Sequence, residues 1–167
     1  MSQANTKVHV VPAGGGEAHW FSGCVWTYKA RGQHTDGSYA VVELRVPPKR
    51  GMFGSPHAHP HEVKAIYVLE GTMTLLLGDE EVDAGPGAFA VIPRNVVHGF
   101  SNTRDQEAKA LVFYSPAGFE QFIADAGEPA KHGGFPPDTS GPPADRTKLR
   151  AARAKFDIDS HAPPEWR

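Results

Sequence analysis

The chain has 167 residues, a formal net charge of -2 and a single cysteine, Cys24. Such a length fits one domain whose core needs no disulfide staple, and a lone thiol excludes an intramolecular bridge. The mixed charge excludes the one-sided basic surface of a nucleic-acid binder. The opening MSQANTKVHVVPAGGGE holds no apolar stretch of signal-peptide length, and no run reaches transmembrane length. With the sparse cysteine usage, these features lead to the expectation of a cytoplasmic protein without nucleic-acid or membrane partners.

Short apolar runs separated by glycine and proline predict an all-β sandwich or barrel. The predicted strands begin with Gly23 to Ala30 and Ser38 to Val46 (SYAVVELRV), the latter stopped by Pro47 and Pro48. KRGMFGSP reads as a loop. Ala65 to Leu69, Thr72 to Leu77, Glu81 to Ala84, Ala88 to Ile92, Val97 to Asn102 and Ala108 to Ser115 follow, punctuated by Glu70-Gly71, Gly78-Asp79, Gly85-Pro86-Gly87 and Pro93. The period then changes. In AGFEQFIADA, Phe119, Phe122 and Ile123 recur at helical spacing, so Ala117 to Ala126 is a predicted helix with Gly127 as its C-cap. Glu128 to Ala144 reads as an extended Pro/Gly-rich loop. Asp145 to Phe156 reads as a second short helix, with Asp145 as N-cap and a solvated basic face. The expected organisation is a flexible segment over 1–14, a barrel with its first helix over 15–126, and a loop and helix packing on the barrel over 127–167.

Chemistry concentrates in the histidines. His57 and His59 are two apart, so on an extended strand both imidazoles point to one face. That suits an N-ligated transition metal, and His98, after Pro93, can supply a third nitrogen. His61 and Glu62 lie beside the pair.

These stretches resemble the cupin superfamily. One pattern is Gly51, His57-Ala58-His59 and Gly71, ending in YVLEG. The other is Gly87, Pro93-Arg94-Asn95, His98 and Asn102, with Asn95 where the motif has glycine. Asparagine tolerates positive φ next best after glycine, so the turn survives. GGEAHWF, ELRVPP and SPAGFEQF are similar to the small single-domain bacterial quercetin 2,3-dioxygenase-like group. The resemblance implies a jelly-roll β-barrel (double-stranded β-helix) with short C-terminal helices, a homodimer, and a secondary-metabolism enzyme. It also implies a divalent metal (Fe, Ni, Mn, Co, Cu or Zn) on His57, His59 and His98, and dioxygenase chemistry on a small phenolic or polycyclic molecule.

One position departs from that pattern. Lys64 stands where the group has a glutamate ligand, which is thought to take the flavonol proton as well. An ammonium cannot act as that base. Three outcomes stay open. Three histidines and water can hold the metal, with Glu62 or His61 as replacement ligand. Alternatively, a deprotonated Lys64 can ligate the metal or act as a base. In the last, the metal is absent and the Lys64 cation takes part of its place, to hold an anionic substrate, donate a proton or form a Schiff base with a carbonyl; a metal-free cyclase, isomerase or lyase would then use Lys64 and a histidine as acid and base. A non-catalytic small-molecule-binding cupin is the alternative outside enzymes. By strand alternation, Ile66 and Val68 share the face of Lys64, and Phe100 that of His98. Phe53, Leu75, Phe89, Val91 and Phe113 complete the expected pocket wall for a flat apolar substrate. Trp26, Tyr28 and Tyr39 are further polar handles.

Overall fold

The computed structural model describes residues 8–52, 56–139 and 145–160. Twelve strands run in chain order: β1 Ala18–Phe21, β2 Cys24–Ala30, β3 Ala40–Val46, β4 His57–Ala58, β5 Val63–Glu70, β6 Met73–Leu77, β7 Glu80–Ala84, β8 Phe89–Ile92, β9 His98–Ser101, β10 Ala108–Ser115, β11 Glu128–Pro129 and β12 Asp159–Ser160. Two helices, α1 Glu120–Ala126 and α2 Arg146–Lys155, interrupt the last part of this series. The predicted all-β jelly roll with short C-terminal helices is the fold observed.

The strands form a seven-stranded sheet, β11-β1-β2-β3-β10-β5-β8, and a five-stranded one, β12-β4-β9-β6-β7. They remain two separately hydrogen-bonded layers, so the fold is a jelly-roll sandwich and not a closed cylinder. Alternation decides what each strand buries. β3 turns Ala40, Val42, Leu44 and Val46 inward and β10 turns Ala108, Ala110, Val112 and Tyr114 inward. Met73, Leu75 and Phe100 of the second sheet complete the same core.

Strand β1 was not expected. Ser22 and Gly23 both have positive φ, 62° and 73°, between paired Phe21 and Cys24. That is a two-residue hairpin turn of the twist-compatible kind, so Gly23 belongs to a turn and not to the start of β2. Part of the expected loop over 128–144 is also ordered by pairing. Glu128 and Pro129 add β11 to β1, and the following stretch is pinned by Trp20 Nε1 donating to Gly134 O (2.9 Å) and Arg45 Nη1 donating to Gly133 O (2.6 Å). Gly127 ends α1, but in extended backbone (φ -99°, ψ -163°). Glycine is required there because a Cβ would lie 2.6 Å from Trp20 O. The α2 N-cap is as expected: the Asp145 carboxylate accepts from Thr147 N and Lys148 N, each at 3.0 Å.

Two motif residues are structural. Gly71 turns β5 into β6 at φ +69°, and a Cβ there would sit 2.3 Å from Glu107 O. Asn102 is buried. Its Nδ2 donates to Val46 O (3.3 Å), Pro47 O (3.1 Å) and Gln106 O (2.8 Å), and its Oδ1 accepts from Arg104 N (3.1 Å). Asn102→Ala strands these buried backbone groups and is expected to cost about 2–3 kcal/mol. Urea unfolding checks this as a lower midpoint with an unchanged m-value.

Candidate metal centre and its cavity

The three histidines meet because β4 and β9 are paired in register, with His57 opposite His98. His59 follows β4 directly, and its position is fixed from the second motif: Asn95 N donates to His59 O (2.9 Å). Asn95 has φ 63°, the left-handed conformation expected of an asparagine replacing glycine. One potential ligand atom from each of His57, His59 and His98 lies within 4.8 Å of the other two.

Hydrogen bonds fix the tautomers. His98 Nδ1 lies 2.9 Å from Val96 O, a carbonyl that can only accept, so Nδ1 carries the proton and Nε2 presents a lone pair. His59 Nδ1 donates to Glu62 Oε1 at 2.6 Å, which leaves the His59 Nε2 lone pair buried and without a hydrogen-bond partner among the described residues. A carboxylate holding the outer nitrogen of a ligand histidine is the usual support of a metal site. Burial pushes the His59 imidazole down to about 2, with the nearby Lys64 charge adding to the effect. Burial and then Lys64 likewise hold His98 far below the ordinary imidazole range. Both rings are therefore neutral, as ligands must be. The donor set and the orphaned Nε2 fit a divalent transition metal.

Lys64 is buried and faces the histidines. Its Nζ lies 3.3 Å from His98 Nε2 and donates to that lone pair. It therefore competes with a metal for one nitrogen of the triad. Burial lowers its pKa to about 8, an effect only partly opposed by Glu62.

The cavity beside the triad has a volume of about 80 Å³. His57, Lys64, Trp26, Phe100 and Tyr114 line it from the sheets, and Phe21 and Ser22 from the first hairpin. Phe119, Phe122, Ile123, Leu149, Arg153 and Ile158 close it from the C-terminal region. Among the described residues no Asp or Glu lines it.

The sequence-predicted residues separate accordingly. His57, Lys64 and Phe100 line the cavity, and His59 and His98 complete the triad. Glu62 is buried but bonds the outer nitrogen of His59, so it orients a ligand instead of replacing one. His61 is exposed and turned away, its Nε2 3.3 Å from Asp157 Oδ2. Ile66, Val68 and Leu75 share the inward face as expected but pack in the core and do not line the cavity. The expectation fails for Phe89, Val91 and Phe113. Phe89 pairs with Tyr67, while Val91 and Phe113 both pair with Ala65, so all three take the outward parity of β5. Phe89 and Val91 are 60% and 57% exposed. Phe53 lies outside the described residues. Of the polar handles, only Trp26 lines the cavity. Tyr28 donates to Glu120 O (3.2 Å) and ties β2 to α1, and Tyr39 is exposed. Tyr114 and the wall from α1 and α2 were missed. Tyr114 shares the inward parity of Val112, a signal the sequence carried. The apolar stripe of α1 was legible too, but not its target.

Residues 42–114 match the cupin domain family. This stretch is a cupin domain. It carries both histidine motifs, including Lys64. The chain is similar to quercetin 2,3-dioxygenase of Bacillus subtilis (strain 168), with 31% identity over 104 residues. That alignment covers 62% of this chain and only 30% of the relative. Among solved structures, Pac13, a nucleoside dehydratase of Streptomyces, superposes with a TM-score of 0.55 at 20% identity, covering 70% of this chain and 88% of that one. KdgF from Halomonas sp. gives 0.52 at 20% identity, covering 59% and 85%. At such identities these two speak for the cupin fold alone.

The buried lysine makes a pH prediction. Its folded pKa, about 8, lies below its ordinary 10.5, so the folded state sheds the proton first. The cost of burying the charge is complete below pH 8 and is relieved as pH rises to about 10.5. In chelator-treated protein, Lys64→Met is expected to exceed wild type in stability at pH 7 by up to about 3 kcal/mol. That advantage should shrink across this window. Urea midpoints of the two proteins, measured pairwise against pH, check it.

Proposed function

We propose that this protein is a mononuclear metal cupin enzyme acting on a small phenolic molecule held in the cavity. The observation that carries the reading is the buried, unpartnered Nε2 of His59, with its opposite nitrogen fixed by Glu62. His57, His59 and His98 would hold the metal. When bound, a divalent ion there supplies Lewis acidity toward a substrate oxygen. The apolar walls exclude water and orient the body of the substrate. Lys64 delivers a donor to the same space and stabilises negative charge on a substrate oxygen, a role opposite to that of a carboxylate base. The cavity is well below the ~300–1,000 Å³ pockets that bury drug-sized ligands, which favours a single aromatic ring over a flavonol.

Dioxygen-dependent oxidation of a phenol is the finer reading, supported by the similarity to the Bacillus subtilis enzyme. A non-redox elimination, isomerisation or cyclisation uses the same groups. The metal-free reading has an observation of its own: Lys64 Nζ already occupies the His98 lone pair, and an amine titrating near neutrality is suited to proton transfer. A homodimer is part of the proposal, and the exposed Phe89 and Val91 on the edge strand β8 support it. Among the described residues no helix is long and apolar enough to cross a membrane.

Plasma mass spectrometry on untagged protein tests the main reading. Near-stoichiometric metal is expected in the wild type and little in His59→Ala. Metal-free wild type with metal regained in Lys64→Glu would transfer the function to the acid–base reading. Glu62→Gln is expected to keep the fold but weaken metal affinity by about 10- to 100-fold, read from competition with a chelating dye.

A further inference from the structure

Two tyrosines of the seven-stranded sheet, Tyr28 and Tyr114, are buried. Tyr28 donates its hydroxyl to Glu120 O at 3.2 Å. Tyr114 differs: among the described residues nothing hydrogen-bonds its hydroxyl, although the residue is only 1% exposed. A phenol that far from water ordinarily has a partner. Its ring is held between His59 and Phe119, with centroids 6.0 Å and 4.9 Å away, and it lines the cavity. Register places Tyr114 directly opposite Lys64 across β10 and β5. Side chains of such a pair leave one face of the sheet with Cβ atoms about 4.5–5.5 Å apart. Lys64 Nζ gives one N–H to His98 Nε2 at 3.3 Å. Charged or neutral, an amine keeps at least one more. Two donors from adjacent strands therefore line the same space, and Lys64 sets them beside the triad.

We infer that Tyr114 and Lys64 together hold one oxygen of the substrate, and that Tyr114 is the residue which selects an oxygen-bearing ligand over an apolar one of the same shape. A phenolic or carbonyl oxygen has two lone pairs and accepts from both donors. A methyl group in its place fills the space and answers neither, which leaves a buried hydroxyl unpaired. Phenylalanine at position 114 keeps the aromatic wall and removes that discrimination. The inference deepens the proposed function by assigning the groups that bind the substrate oxygen. It rests on the cavity being the substrate site, and not on the metal.

4-Fluorophenol and 4-fluorotoluene are the probes, matched in shape and differing in the oxygen. Fluorine NMR titration gives both dissociation constants for wild type, Tyr114→Phe and Lys64→Met, each with and without prior chelation, with metal content determined on the same samples. Thermal midpoints confirm that the variants are folded. Tyr114→Phe is expected to weaken 4-fluorophenol about tenfold while moving 4-fluorotoluene by less than about threefold, with and without chelation. Lys64→Met should weaken the phenol selectively as well. A merely structural role for Tyr114 moves both probes alike, and that result overturns the inference, as does a ratio that Tyr114→Phe leaves unchanged. Selective loss in only one of the two variants overturns the shared oxygen site. A phenol preference abolished by chelation but unmoved by Tyr114→Phe gives the oxygen to the metal, which sinks the inference and leaves the metal reading intact. Failure of both probes to bind at millimolar concentration removes the cavity as the substrate site, and the proposed substrate falls with the inference.

Discussion

A primary amine held 3.3 Å from an imidazole nitrogen, out of water, is the contact on which the site depends. Lys64 lies mid-sheet, with Tyr114 beside it on β10 and Ile92 on β8, so strand pairing gives it no route to solvent. Burial first, and then the Lys64 charge, hold His59 and His98 neutral. Neutral rings keep lone pairs, which is what a cation or a substrate proton requires. The same amine occupies one of those lone pairs. Whatever enters the triad must therefore displace Lys64 or work beside it.

The scaffold around this contact is stiff because each motif is tied to the other by backbone. His57 faces His98 across paired strands, Asn95 N holds His59 O, and Arg94 Nε donates to His61 O at 2.8 Å. Glu62 then fixes the ring of His59. Asn102 and Gly71 do no chemistry. They set the strand ends from which the histidines project.

How much was legible follows from this. Strand positions were, since β-branched runs between glycine and proline name themselves. The triad was legible because a spacing of two on an extended chain fixes a common face. Asn95 was read correctly as a tolerated left-handed residue. Parity across strands was not legible. Phe89, Val91 and Phe113 are as apolar as Ile66 and Val68, and only the register of β8 and β10 against β5 reveals that they face outward. His61 and Glu62 were similarly equal in sequence. Backbone direction after β4 turned one to the surface and the other beneath His59. The far wall was hidden for another reason: helical periodicity states that α1 and α2 bury a face, but not what they bury it against.

That far wall carries a consequence of its own. The strands that hold the histidines and Lys64 end at Ser101, and everything that closes the cavity opposite them comes later in the chain or from the first hairpin. The reactive end and the recognition end are thus encoded in different stretches of sequence. Helix α2 itself is held to the rest through side-chain packing and a cap of its own, while β12 just beyond it pairs with β4 and sets Ser160 opposite His57. Exchange of α1 and α2 with β12 retained would recast the ligand while leaving the reactive groups in place, so descendants of one such gene could diversify in diet without reinventing their chemistry.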